Sequence, residues 1–135
     1  MTSELRVDNL KGSTTGGSIN VLGEGTSATT NLQQGLAKAW VNFDQSGTIA
    51  ISDSFNVSGI SDVGSGLTDI GLSSAMSNTG FAVAITRQDV TVNNDSTGFD
   101  ALTQKTVSNV RFVSIENAAL TDTNNGHCIV HGDLA

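Results

Sequence analysis

The sequence predicts an all-β fold, an antiparallel sandwich of jelly-roll type behind a short extended and helical N-terminal segment. Three observations predict it. Ser, Thr, Asn and Gly supply 59 of the 135 residues while Pro and Tyr are absent, a composition suited to turns and short polar strands. After Ala39, turn signals recur every eight to twelve residues, as in sandwiches and barrels. Between those turns, apolar residues alternate with polar or small ones at a period of two, the strand period. The length suits one core, with a tail and no second full domain.

The elements follow in order. Leu5 and Val7 against Arg6 and Asp8 predict a short strand over Leu5 to Leu10, and Gly12-Ser13-Thr14-Thr15-Gly16-Gly17 breaks it. Ser18 to Leu22 reads as a second extended piece, ended by Gly23-Glu24-Gly25. Thr30 with Gln33 three residues on has the form of a capping box ahead of Leu32, Leu36 and Ala39 at helical spacing. Gly35 costs this helix about 1 kcal/mol relative to Ala, and so short a helix needs something to pack on. The boundary falls here, giving an N-terminal segment over 1–38 and a sandwich head over 39–135.

In the head, Trp40-Val41-Asn42-Phe43 and Thr48-Ile49-Ala50-Ile51 flank Asp44-Gln45-Ser46-Gly47, the chemistry of a hairpin turn. Phe55 to Ile60 and Leu67 to Leu72 alternate as further strands. Phe81-Ala82-Val83-Ala84-Ile85 sets large residues on one face and Ala on the other, which suits a core on one side and close approach of a sheet or subunit on the other. Val90 and Val92 mark a polar strand, followed by the loop Asn93 to Gly98. Val107 to Ile115 is the longest strand candidate. Asp122 to Gly126 turns the chain into a last strand, Cys128 to Leu134, with Asn125-Gly126 the strongest turn signal.

Composition excludes several function classes. The net charge of −7, with six scattered basic residues, argues against nucleic-acid binding, because counterion release needs clustered Lys and Arg. The lone Cys128 cannot form an intrachain disulfide, which suits a reducing site of assembly. Met1 to Leu10 lacks the apolar core of a signal peptide, and no stretch approaches the roughly 18 apolar residues of a membrane span. Folding in a cytoplasm, without membrane insertion, is the expectation.

The chemical motifs are weak. Gly23, Gly25 and Ala28, with Asp44 beyond, match a dinucleotide fingerprint in spacing but lack the βαβ context it requires. Gly71-Leu72-Ser73-Ser74-Ala75 resembles a nucleophile elbow without a following helix. His127 and His131, with Asp133, share one face of the last strand, but about 13 Å separates the two His, too far for one metal within one chain. Three copies of one His on a threefold axis is the remaining metal arrangement, and a surface or interface His is the commoner case. Asp53, Asp62, Asp69, Asp89, Asp95 and Asp100 are dispersed, most of them expected as solvated turn residues, without the dense carboxylates of a calcium loop. Trp40 could stack on a sugar, yet beside Val41 and Phe43 it is expected in the core or at a subunit contact. No catalytic residue, metal site or cofactor is expected.

One segment is distinctive. Asn31 to Phe43, containing Ala37-Lys38-Ala39-Trp40-Val41-Asn42-Phe43, is followed by Gly47-Thr48-Ile49-Ala50-Ile51-Ser52-Asp53-Ser54-Phe55-Asn56-Val57-Ser58. It resembles a recurrent module of marine bacteriophage tail-fibre and other virion (capsid) fibre proteins. Glu4 to Leu10 and His131 to Ala135 are similar to the ends of such chains. The resemblance implies a homotrimeric β-sandwich head, an N-terminal segment docked on other virion proteins, and a role in host attachment or particle decoration. Location in the virion follows, after assembly in a bacterial cytoplasm, with a host-cell glycan or protein as receptor. Leu5, Val7 and Leu10 are the expected docking residues, and Leu32, Leu36 and Trp40 the expected trimer contact. The loops holding Asn93, Asn94 and Asp95, and Asn124 and Asn125, are the expected receptor-facing sites, because loops tolerate change and commonly carry binding. Many fibre proteins carry a long shaft where only Gly12 to Gly25 stands here. That departure keeps a head decoration or cement protein as an alternative, beside a free carbohydrate-binding sandwich module.

Overall fold

The computed structural model describes residues 4–23, 27–88, 95–96 and 105–135. Its elements are β1 (Asn20–Leu22), β2 (Thr29–Asn31), α1 (Leu32–Gly35), β3 (Ala39–Asp44), β4 (Ala50–Phe55), β5 (Val57–Gly64), β6 (Leu67–Leu72), β7 (Ala82–Arg87), β8 (Asp95–Ser96), β9 (Asn109–Val113), β10 (Ile115–Glu116), β11 (Ala119–Leu120) and β12 (Gly126–His131). The chain divides into two compact units, Met1–Leu36 and Ala37–Ala135.

In the first unit β1 pairs antiparallel with β2. The expected strand over Leu5 to Leu10 does not form; Leu5, Val7 and Leu10 are exposed and outside any strand. The helix is a single turn capped not by Thr30 but by Asn31, whose Oδ1 accepts from the backbone N–H groups of Gln33 and Gln34 at 3.0 and 3.2 Å. Asn is a strong N-cap because its short side chain satisfies donors that the first turn leaves free. Asn31 also donates through Nδ2 to the Gly17 carbonyl at 2.6 Å, tying the hairpin back on itself. Gly35 and the extended backbone of Leu36 end the helix, so Leu32, Leu36 and Ala39 never share a helical face.

The second unit is an all-β sandwich. One sheet has the order β4-β3-β12-β7 and the other β5-β6-β9, every pairing antiparallel. A third, smaller sheet has the order β11-β10-β8. Alternation decides what lies between the two large sheets. Ala39, Val41 and Phe43 of β3, with Cys128 and Val130 of β12, point inward against Ile70 and Leu72 of β6 and Val110 and Phe112 of β9. The Phe43 and Phe112 rings, both without exposure, meet edge-to-face at 4.9 Å across the layer. Burying each ring stabilises the fold by roughly 2–3 kcal/mol. Phe81, Val83 and Ile85 lie on the core side of β7 and its approach.

A single residue moves the chain from one sheet to the other. β4 and β5 form one nearly continuous run, broken at Asn56 with φ of 55°. Asn tolerates this left-handed conformation better than other side-chain-bearing residues. Its Nδ2 donates to the Lys38 carbonyl at 2.9 Å, and its Oδ1 accepts from the Ser74 N–H at 2.7 Å. Its carbonyl accepts from Ser73 N–H at 3.1 Å. The Ser73-Ser74 pair of the elbow-like motif is thus part of a corner.

Other corrections concern ends and turns. Among the described residues the longest strand is β5, while the expected Val107 to Ile115 strand shortens to β9, and the last strand runs Gly126–His131. The chain bends at Asn124 and Asn125 to enter β12, with Gly126 already in the strand and not at the centre of the bend. Gly126 begins β12, where a Cβ would lie 2.7 Å from the Phe43 ring, so the glycine makes room for the core. Gly66 does need its conformation, with φ of 69° and the Ser114 carbonyl 2.5 Å from where a Cβ would be. Gln45 is buried and donates to Thr68 Oγ1 at 2.8 Å, while its Oε1 accepts from Thr123 N–H at 3.2 Å. That bridge satisfies three polar groups between the β3–β4 turn, β6 and the approach to β12.

Candidate interaction surface

The outward residues of the four-stranded sheet form rows that pairing registers define. Trp40 stands opposite Phe55 on β4 and Ile129 on β12, and Ile129 stands opposite Ala84 on β7. Paired residues in antiparallel strands share a face. The row Phe55, Trp40, Ile129, Ala84 therefore crosses the whole sheet on the side away from the core. Phe55 is 53% exposed, Ile129 41% and Trp40 36%, and Ala84 is also exposed. Isolated exposed apolar residues are normal on a protein; three large ones side by side on a sheet are not.

The core expectation for Trp40 is corrected by this register. Ala39 and Val41 on either side of it face the core, so period two sends Trp40 outward. The subunit-contact expectation is a matter for the proposals below.

A polar row runs beside the apolar one. Asp53, Asn42, His127 and Thr86 are paired in sequence across β4, β3, β12 and β7. A bulge follows, since Asn42 pairs with Asp53 but Phe43 with Ile51. The extra residue, Ser52, lies in the edge strand, a common place for a bulge because it discourages open-ended pairing. The Asn42 Oδ1 atom is covered and accepts no hydrogen bond. Such an orphan costs free energy comparable to a lost hydrogen bond. At the end of β3, the hydroxyl and then the backbone N–H of Ser46 donate to Asp44 and hold its carboxyl below the usual carboxylate range.

His127 and His131 lie on this same outward side of β12, and Cys128 points into the core. Burial alone pushes the Cys128 thiol up to about 12, so at neutral pH it is an inert apolar group. Among the described residues no group of three or more His, Cys, Asp or Glu is placed to hold a metal ion. Among them, too, no helix is long and apolar enough to cross a membrane.

The remaining expected site residues are scattered. Leu36 is exposed and Leu32 half-buried in the first unit. Asn93 and Asn94 lie outside the described residues, and Asp95 is described only as backbone of β8. Asn124 is exposed, while Asn125 is engaged within the chain: its Nδ2 donates to Gln88 Oε1 at 2.8 Å and its carbonyl accepts from the Gln88 N–H at 2.9 Å. Sequence reading missed Phe55, Ile129 and Ala84 as neighbours of Trp40. The available signal was alternation, which places Trp40 opposite to Val41 and Ile129 opposite to Cys128 and Val130. Which strands stand side by side was not in that signal.

The segment with the fibre-like resemblance has a clear place in this geometry. Ala39, Val41 and Phe43 are its core half, Trp40 and Phe55 its outward half, and Asn56 its corner. Comparison with known proteins finds no protein family, curated protein or solved structure that matches the chain.

Proposed function

We propose that this chain is a non-catalytic structural subunit of a bacteriophage virion, a homotrimeric fibre subunit serving host attachment or particle decoration. The observation that supports the reading most is the outward apolar row Phe55, Trp40, Ile129, Ala84, which a lone subunit has no reason to leave in water. The acidic, polar remainder of the surface suits a particle component that must stay soluble before assembly. The resemblance in residues 31–58 supplies the virion context. In this reading Leu5, Val7 and Leu10 dock on neighbouring virion proteins, their exposure leaving them free to be covered.

Light scattering on the full chain tests the assembly, and antibody labelling of phage particles tests the location. The expected results are a mass three times that of the 13.9 kDa chain and label on a tail or capsid fibre. A monomer at all concentrations, or particles without label, would overturn the reading. A second reading, a free sugar-binding sandwich, is favoured by one observation: Trp40 and Phe55 are adjacent exposed aromatics flanked by Asp53 and Asn42, the elements of a pyranose platform.

A further inference from the structure

Asn125 is the only asparagine of the chain that is followed by glycine. Such a pair carries a chemistry of its own. The backbone nitrogen of the glycine can form a bond to Cγ of the preceding asparagine, closing a five-membered succinimide as the side-chain nitrogen leaves as ammonia. Glycine favours the closure because no Cβ obstructs the approach and its backbone turns freely. Water then opens the ring at one carbonyl or the other. The product is aspartate, or isoaspartate with the main chain running through the former side chain, and either adds one negative charge.

The surroundings of Asn125 oppose that closure. Its Nδ2 donates to Gln88 Oε1 at 2.8 Å, its carbonyl accepts from the Gln88 N–H at 2.9 Å, and its own N–H donates to Thr123 Oγ1 at 3.3 Å. The Thr123 hydroxyl in turn donates to the Gln88 carbonyl at 3.4 Å. Gly126 is buried and paired with Phe43 of β3 and Arg87 of β7. Ring closure needs both the side-chain amide and the adjoining backbone to rotate, so this clasp has to open first. Gln88 is exposed and lies just beyond the end of β7, where local opening costs least. We propose that Asn125 is a self-modification site, a succinimide-forming asparagine whose deamidation the folded chain holds back through Gln88 and releases when the entry to β12 opens.

The two products differ in consequence. Aspartate is accommodated, because a half-turn of the Gln88 amide presents its N–H donors to the new carboxylate. Isoaspartate is not: the extra methylene in the main chain moves the carbonyl off the Gln88 N–H and displaces the start of β12, the strand with which both β3 and β7 pair. Ageing at this one residue therefore loosens the four-stranded sheet from its middle.

Peptide mapping by mass spectrometry tests the proposal on the full chain, aged in warm, mildly alkaline buffer with and without enough urea to unfold it. In urea, Asn125 is expected to turn to acid ahead of every other asparagine. Folded chain should react there at least about tenfold more slowly, because only the fraction with an open clasp can close the ring. Gln88→Ala should raise the folded rate about fivefold, the worth of one hydrogen bond, and leave the rate in urea unchanged. Gln88→Glu keeps an oxygen to accept from Nδ2 and should stay within about twofold of the original chain. Circular dichroism in the ageing buffer checks that both variants are folded. Another asparagine reacting first in urea would overturn the site, and equal rates in folded and unfolded chain would overturn the protection. Gln88→Ala ageing like the original chain would overturn the part given to Gln88.

Discussion

The two large sheets share one core but finish their outer faces in opposite ways. On β5-β6-β9 the outward row is Ser61, Asp69 and Arg111, and Arg111 grips Asp69 with two hydrogen bonds of 2.6 and 2.9 Å. The neighbouring row is Gly59, Gly71 and Asn109. That face pairs Asp69 with Arg111 within the chain, and among the described residues its strands expose one large apolar side chain, Val63. On β4-β3-β12-β7 the corresponding surface exposes two aromatic rings and an Ile and leaves an amide oxygen without a donor. The folding requirement is met equally by both faces, because it concerns only the inward residues. The cluster of large apolar side chains on the four-stranded face is therefore not accounted for by folding.

The largest effect should come from the layer that both faces depend on. Phe43→Ala is expected to destabilise the sandwich by about 3–5 kcal/mol, since the ring is fully enclosed and its partner Phe112 would face a cavity. A urea titration followed by circular dichroism measures it; a loss below about 1 kcal/mol would mean that the two sheets are not joined through this pair. Next is the corner that turns one face into the other. Asn56→Ala removes the bonds to Lys38 and Ser74 and forces Ala into a left-handed conformation, a loss of about 2–3 kcal/mol. Asn56→Gly should recover the conformational part alone.

Alkaline pH probes the inward side of β12 directly. The Cys128 thiol stays protonated in the folded state up to about 12, against 9.0 for the free group. Between those values the unfolded chain releases a proton that the folded chain keeps, so stability falls as pH rises, by up to about 1.4 kcal/mol per pH unit. The contribution is complete below pH 9 and gone by about 12. Unfolding midpoints across this range, compared with Cys128→Ala, should show the extra slope only in the chain that retains the thiol.

Smaller effects separate the two outer faces. Trp40→Ser should change monomer stability by less than about 1 kcal/mol, in contrast to any inward neighbour, because the ring is already partly in water. A loss as large as that of Phe43→Ala would mean that Trp40 supports the fold and not a contact. Asp69→Asn on the opposite face should give a small shift, shrinking further at high salt, because both side chains of the pair remain about a quarter exposed, 23% and 25%, and so partly screened. It should leave association untouched.

Strand character, the β3–β4 hairpin and the inward residues Val41, Phe43, Val83 and Ile85 were legible in the sequence, since each follows from alternation within a single segment. The misreadings share one cause. Apolar neighbours suggest the core or a subunit contact for Trp40, and only phase removes the core; Phe55 to Ile60 alternates like one strand because Asn56 looks polar and ordinary in sequence. Thr30 fits the capping-box spacing, whereas the cap is Asn31 one position on, a residue that serves the same chemistry. Asn125-Gly126 signalled a turn by composition, whereas the glycine answers to the Phe43 ring, which approaches from far away in the chain.

By itself, then, the sequence determined the class of fold, the absence of a helical core and the acidic, polar surface, because these depend on composition and on a period visible over five or six residues. Only the tertiary structure decided that Phe55, Trp40, Ile129 and Ala84 stand in one row, since they come from four strands spread over residues 40–129 and their alignment is set by pairing register. Register is a property of strands in contact: a slip of one residue would turn every one of these side chains to the core, and no segment alone contains that information.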